Sequence, residues 1–250
     1  VVYGGAPVLR SVTFLKNRGS GLRVDGGSPT IEAVTSRENV NAAMSVHGGT
    51  PTITGCTLSE TAGDGFGLDV HGGTVTLTDT TMTGNAGAAM TLYAGAVLEG
   101  LTGLTVAGNG ADVVRYRSTE VPTSQTWRSF GLPYVLMDGW VHVRGAASPV
   151  LTIEPGVEVR LAGGHGLWIG YGSAPGGLVA VGTAEQPVRF TSNAAAVTAG
   201  QWGRVGFSVA TVAGSRIENA VVEGGGESWD GAVVVYGGAP VLRSVTFLKN

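Results

Sequence analysis

Asp25, His47, Asp69 and His71 are the side chains whose types and spacing could do chemistry. His47 lies 22 residues after Asp25, and His71 lies 24 after His47. Asp69 stands two residues before His71, on the same side of an extended chain. Two imidazoles and two carboxylates make a donor set for a divalent metal. Ser45, two residues before His47, supplies the third component of a Ser-His-Asp arrangement. Both chemistries require distant residues to be held side by side. A repeating chain also places such residues in file with no catalytic demand, and nothing around Ser45 dictates a nucleophile elbow. No residue is therefore assigned to catalysis or to a cofactor, and Asp25, His47, Asp69 and His71 stand as the metal candidates.

The other reactive groups read as structural. Glu38 and Glu60 fall in one column, where stacked carboxylates could take a loosely held Ca²⁺. The neighbouring pairs Arg10–Glu32 and Lys16–Glu38 look like ordinary surface ion pairs. Cys56, the single cysteine, falls in an apolar column and reads as a buried, inert thiol; alone it excludes an internal disulfide framework. Trp127, Trp140, Trp168, Trp202 and Trp229 could stack on sugars, but Trp in irregular coils more often fills the core. With 15 Lys+Arg against 18 Asp+Glu and no basic cluster, a nucleic-acid face is not expected. No apolar run approaches the roughly 18 residues of a membrane span.

The elements that must hold these columns follow from an internal repeat. Gly-Gly recurs at Gly4, Gly26, Gly48 and Gly72, and Ala94-Gly95 continues it, with steps of 22, 22, 24 and 22. Two-residue insertions are expected between Thr61 and His71 and near Val97-Leu98. Apolar files then form: Val2, Val24, Val46, Val70, Leu92, and Leu9, Ile31, Ile53, Leu77, Leu101. Two further files are Val12, Val34, Cys56, Thr80, Leu104, and Phe14, Ser36, Leu58, Met82, Val106. Within each repeat the alternation has period two, as in Val12-Thr13-Phe14, so the elements are short strands. Such a unit cannot bury its apolar face alone, but it can by stacking on its neighbours about 4.8 Å away. Thr13, Thr35, Thr57, Thr81 and Thr105 form an outward ladder. Asn17, Asn39, Asn85 and Asn109 form a corner ladder, with Thr61 substituting; asparagine suits a left-handed corner. Only one Thr file is continuous, so a flat ice-binding face is not expected.

Residues 1–17, VVYGGAPVLRSVTFLKN, recur identically as 234–250, an offset of 233. The sequence reads as a window on a tandem array of that period; a duplication introduced by cloning or design is the alternative. The expected organisation is regular coils over 1–112, an irregular excursion or unit junction over 113–140, and further coils over 141–250. One period would hold roughly nine or ten coils, about 45–50 Å at the strand spacing.

LTIEPGVEVRLAGG (151–164), LVAVGTAEQPVRFTSN (178–193), QWGRVGF (201–207), SRIENAVVEGGG (215–226) and GGAPVLRSVTFLKN (237–250) resemble right-handed parallel β-helix repeat proteins of the pectate-lyase-like superfamily. The resemblance implies an all-β right-handed β-solenoid of about 22–24 residues and three short strands per coil. It also implies an exported bacterial protein, extracellular or at the cell surface. That superfamily includes polysaccharide lyases and hydrolases, but the acids here do not gather as those enzymes need. The expectation is a non-enzymatic repeat unit of a fibre, stalk or adhesin shaft, partnered head-to-tail by copies of itself. The alternative is a polysaccharide-binding or polysaccharide-degrading β-helix.

Overall fold

A computed structural model describes residues 1–227 and 231–250. The chain divides into two compact units, Val1–Arg115 and Tyr116–Asn250. Among the described residues the regular elements of both are short strands, and the named strands pair in parallel with the strand one coil away.

In the first unit each coil contributes a strand to three sheets. One sheet holds Val8–Arg10, Thr30–Glu32, Thr52–Thr54, Gly73–Thr78 and Ala96–Thr102. The next holds Thr13–Leu15, Thr35–Arg37, Thr57–Ser59, Thr81–Thr83 and Thr105–Ala107. The third holds Leu22–Val24, Ala42–Val46, Phe66–Val70 and Ala88–Leu92. Period-two alternation decides what faces in. Ile31, Ile53 and Leu77 are register partners and fully buried, as are Val24, Val46 and Val70. The outward Thr13, Thr35, Thr57, Thr81 and Thr105 stand in register through the second sheet.

Two positions depart from the expected columns. Leu77 faces Gly100, not Leu101: the pairing offset rises from 22 at Val70–Leu92 to 23 at Gly73–Ala96 and to 24 at Thr78–Thr102, so one extra residue lies before Ala96 and the other in a bulge at Leu101, on either side of Val97-Leu98. The left-handed corner residue is not the asparagine but the one before it. Lys16, Glu38, Glu60, Gly84 and Gly108 all have φ between 54° and 66°. The asparagines instead serve through their side chains. Asn85 Nδ2 donates to the Leu58 carbonyl at 3.0 Å and to Asn109 Oδ1 at 2.8 Å. These bonds satisfy polar groups inside a corner that excludes water.

The second unit repeats the plan with less regular coils. Its first sheet holds Glu120–Val121, Val141–Val143, Leu167–Ile169, Val205–Phe207 and Val233–Val235. Gln125–Trp127, Val150–Ile153 and Gly177–Val181 lead to the long strand Arg216–Glu223, whose second half also pairs Val188–Ser192. Val241–Leu248 lies on Arg216–Glu223 along its whole length. The stretch 113–140, expected as an excursion, carries strands. Pro122 and Pro133 interrupt its apolar spacing, yet Val121, Trp127, Tyr134 and Leu136 are buried.

The Gly-Gly corners have a steric cause. Gly27, Gly49 and Gly73 have φ of 78°, 86° and 88°. A Cβ on Gly49 would lie 2.2 Å from the Gly27 carbonyl oxygen, because one corner rests directly on the last. Gly55 is also left-handed, at φ 63°, but its missing Cβ faces open space. Gly55→Ala should cost the conformational penalty of about 1–2 kcal/mol. Gly49→Ala should cost clearly more, beyond about 3 kcal/mol, since backbone must also move. Urea unfolding of the two variants checks this; equal losses would refute the stacked-corner account.

Candidate functional site

The third sheet of the first unit brings the candidate residues together. Asp25, His47 and His71 each follow the last residue of a strand in this sheet, and Tyr93 continues the column. Backbone bonds from His47 to Val24, His71 to Val46 and Tyr93 to Val70 fix each one a coil above the last. The rings therefore stack. His47 and His71 have centroids 4.3 Å apart and planes 6° apart; His71 and Tyr93 are 4.2 Å and 10° apart.

Beside this column runs an outward file in register, Arg23, Ser45, Asp69 and Thr91. Asp69 Oδ2 pairs with His71 Nε2 at 2.8 Å. Asp25 accepts from Arg23 Nε at 2.7 Å. Ser45 is buried, and its Oγ makes no hydrogen bond to His47 or to either aspartate. Asp69 Oδ1 and Thr91 Oγ1 are likewise buried without a partner. Ser45, Asp69, His47, His71 and Arg23 line a groove of about 410 Å³.

This geometry decides what the column can do. The lone pairs of an imidazole lie in its ring plane. Two parallel planes do not meet, so His47 and His71 cannot aim at one ion. With Asp25 engaged by Arg23, the four metal candidates share a neighbourhood without converging. Among the described residues no group of three His, Cys, Asp or Glu is arranged to hold a metal ion. The Ser45–His47–Asp69 combination lacks its serine–histidine bond, the contact through which a base would activate the hydroxyl.

The remaining candidates also have structural partners. Glu38 accepts from Lys16 at 3.3 Å and from Arg37 at 2.6 Å, and Arg37 also lies 3.7 Å from Glu60, so a cation already stands between the two stacked carboxylates. Cys56 is buried; burial pushes its thiol pKa up, away from the reactive thiolate. Trp127 and Trp202 are core residues, Trp202 donating to the Glu223 carbonyl at 2.8 Å. Trp140 and Trp168 lie on the outer face of the second unit with ring centroids 6.1 Å apart. Trp229 lies outside the described residues. A second groove, about 440 Å³, runs past Glu158, Arg160, Thr191 and Glu223. Arg189 bonds Glu223 there and lies 3.7 Å from Glu158.

Residues 1–122 match the family model described as right handed beta helix region. The first unit is similar to that family, and the fold of both units is a parallel β-solenoid. The match covers the first unit, and the second carries the same coils of parallel strands. No curated protein and no solved structure matches the chain. Within these coils, two outer features escaped sequence reading. One is the burial of the outward residues Ser45 and Thr91, whose hydroxyls are enclosed without a partner. The other is the aromatic group around Trp168, whose members sit in coils of unequal length and share no spacing.

The histidine stack gives a pH signature. The His47 pKa is lowered from 6.5, first by burial and then by His71 and Arg23, which outweigh Asp25 and Asp69. A lowered folded-state pKa means that the unfolded chain binds the proton more readily. The stabilising contribution is therefore complete above pH 6.5 and is lost as pH falls through the lower folded value. Urea midpoints measured from pH 7.5 down to 5 should fall, and His47→Phe should flatten that part of the decline. An unchanged slope in His47→Phe would contradict the assignment.

Proposed function

We propose that the chain is a structural segment of an extracellular or cell-surface fibre, stalk or adhesin shaft, in which copies of the 233-residue unit follow one another head to tail. The observation that carries this reading is how the two copies of the 17-residue segment bond. An interior rung of the asparagine ladder is shown by Asn85. On one side, its backbone N and Nδ2 both donate to Asn109 Oδ1, at 3.1 and 2.8 Å. On the other, its Nδ2 donates to the Leu58 carbonyl, and its Oδ1 accepts from Thr61 N at 3.4 Å.

Asn17 makes the first set. Its N and Nδ2 donate to Asn39 Oδ1 at 2.9 and 2.8 Å. Asn250, the same residue of the repeat, makes the second. Its Nδ2 donates to the Val222 carbonyl at 2.9 Å, and its Oδ1 accepts from Gly225 N at 2.9 Å. One copy therefore bonds the coil that follows and the other bonds the coil that precedes. Together they make one complete interior rung.

The backbone agrees. Ser11 and Ser244 have φ of 54° and 51°, and Lys16 and Lys249 have 55° and 50°. Val8–Arg10 pairs forward with Thr30–Glu32, while its copy Val241–Arg243 pairs backward with Arg216–Glu218. From Ser11 to Lys16 the segment keeps its left-handed positions in both settings, while its Gly-Gly corner differs, Gly5 being left-handed at φ 72° in one copy and Gly237 having φ 136° in the other. The strand part of the segment is what can serve as the joint between successive units. Propagation of this kind gives an open assembly whose stability grows with nearest-neighbour contacts. A mechanical role also suits carboxylates already engaged by arginines along both grooves.

Electron microscopy of chains carrying one, two and three copies tests this. Particles should lengthen by a constant increment per copy, with unchanged width. Particles that grow in width, or separate into independently tumbling globules, would overturn the reading.

A further inference from the structure

Tyr236 in the second unit is held on two sides. Trp168 points outward from its strand, in register with His142 on one side and Gly206 on the other. A Cβ on Gly206 would meet the Trp168 ring at 2.7 Å, so glycine there lets the indole lie flat across the neighbouring coil. The indole thereby reaches Tyr236, with ring centroids 5.3 Å apart and planes 35° apart. Arg204 Nη1 donates to the Tyr236 hydroxyl at 2.8 Å. The Arg204 guanidinium in turn lies 5.7 Å from the centre of the Trp140 ring.

Tyr236 is the third residue of the duplicated segment, and Tyr3 is the same residue in the other copy. Tyr3 is 81% exposed and Tyr236 is 48% exposed. The sequence around them is identical; Tyr236 differs in resting on Trp168 and Arg204 and in the Gly-Gly backbone that follows it.

We infer that Trp168, Arg204 and the glycine beneath the indole form a receptor for the third residue of the repeat, and so for the VVYGG segment that opens a following copy of this chain. The inference rests on the tandem reading above and names its contact surface. The receptor answers a specific need. Ala232, Val233, Val234 and Val235 are all apolar, so a slip of one residue against Val205–Phe207 would still place apolar side chains inward. A strand without alternation does not fix its own register. The tyrosine does, because one hydroxyl must meet one guanidinium while its ring meets the indole. Each unit is thus locked onto its predecessor at a single reading of the joint.

Native-state hydrogen exchange on the 250-residue chain tests this, read at the amides of Val233–Val235 and Val241–Leu248. Tyr236→Ala should raise their exchange about tenfold, the combined loss of a ring contact and a hydrogen bond. Tyr236→Phe, which keeps the ring, should raise it about threefold, and that increment should vanish in an Arg204→Met background. Tyr3→Ala should leave exchange unchanged throughout the chain. Equal behaviour of Tyr236→Ala and Tyr3→Ala overturns the inference, as does a Tyr236→Phe effect that persists without Arg204. If multi-copy chains lengthen but these exchange results fail, the receptor falls and the array stands. If multi-copy chains do not lengthen, both fall.

Discussion

Backbone hydrogen bonding from one coil to the next is the constraint from which the remaining features follow. A strand of three residues offers too few bonds and too little apolar surface to persist alone. Its N–H and C=O groups point along the direction of stacking, and a buried backbone group left unpaired is costly. Parallel in-register pairing satisfies them, and it places each residue over the one a coil earlier. Like then stands over like. The threonine ladder, the asparagine ladder and the His47–His71–Tyr93 stack are three products of one spacing. That spacing also limits chemistry. It brings two imidazoles within 4.3 Å but makes them parallel, and parallel rings share no focus for an ion.

Corners are the second demand of a coil. The chain changes direction between strands while remaining in register with the coil below. At Gly27, Gly49 and Gly73 only a glycine fits, because the neighbouring carbonyl occupies the place of a Cβ. At Lys16, Glu38 and Glu60 the same left-handed turn is made by residues that have a Cβ. Each carries a strain of roughly 1–2 kcal/mol. Their side chains point to solvent, where Lys16 and Arg37 meet the carboxylates of Glu38 and Glu60. At Lys16 and Glu38 the strain is offset by the adjacent asparagines, whose amides bond across the two coils, and beside Glu60 the hydroxyl of Thr61 takes that place by donating to the Gly65 carbonyl. Corner strain and side-chain bonding thus fall on neighbouring residues.

The regular coils were legible because period-two alternation and a fixed glycine step report the same geometry. Ile31, Ile53 and Leu77 fell in one file by counting, and their backbones pair as counted. Counting failed at Leu101 because a bulge moves register by one residue without disturbing the apolar pattern. It misplaced the left-handed residue because asparagine has two aptitudes, for left-handed backbone and for side-chain bonding, and composition does not separate them. It missed the strands within 113–140 because prolines break the pattern while Trp127 and Tyr134 still bury there. The candidate site was legible as a column of residue types. Its outcome was not, since that turned on ring orientation and on the pairing of Asp25 with Arg23.

The contrast between the two units has a physical logic. Identical coils stack well but poorly define which coil belongs on which, since a shift by one whole coil keeps most apolar files matched. Large side chains that occur once break this degeneracy. The first unit fills its interior with repeated Val, Ile, Leu and Met, whereas the second uses Trp127, Tyr134, Phe190, Trp202 and Phe207. Trp127 stacks on Tyr134 with centroids 4.9 Å apart. Repetition therefore provides the cumulative stacking energy, and irregular aromatic coils provide a unique alignment. A chain made only of the regular coils would satisfy its backbone in several shifted pairings; one that includes the aromatic coils favours the pairing in which Trp127, Tyr134, Phe190, Trp202 and Phe207 are all buried.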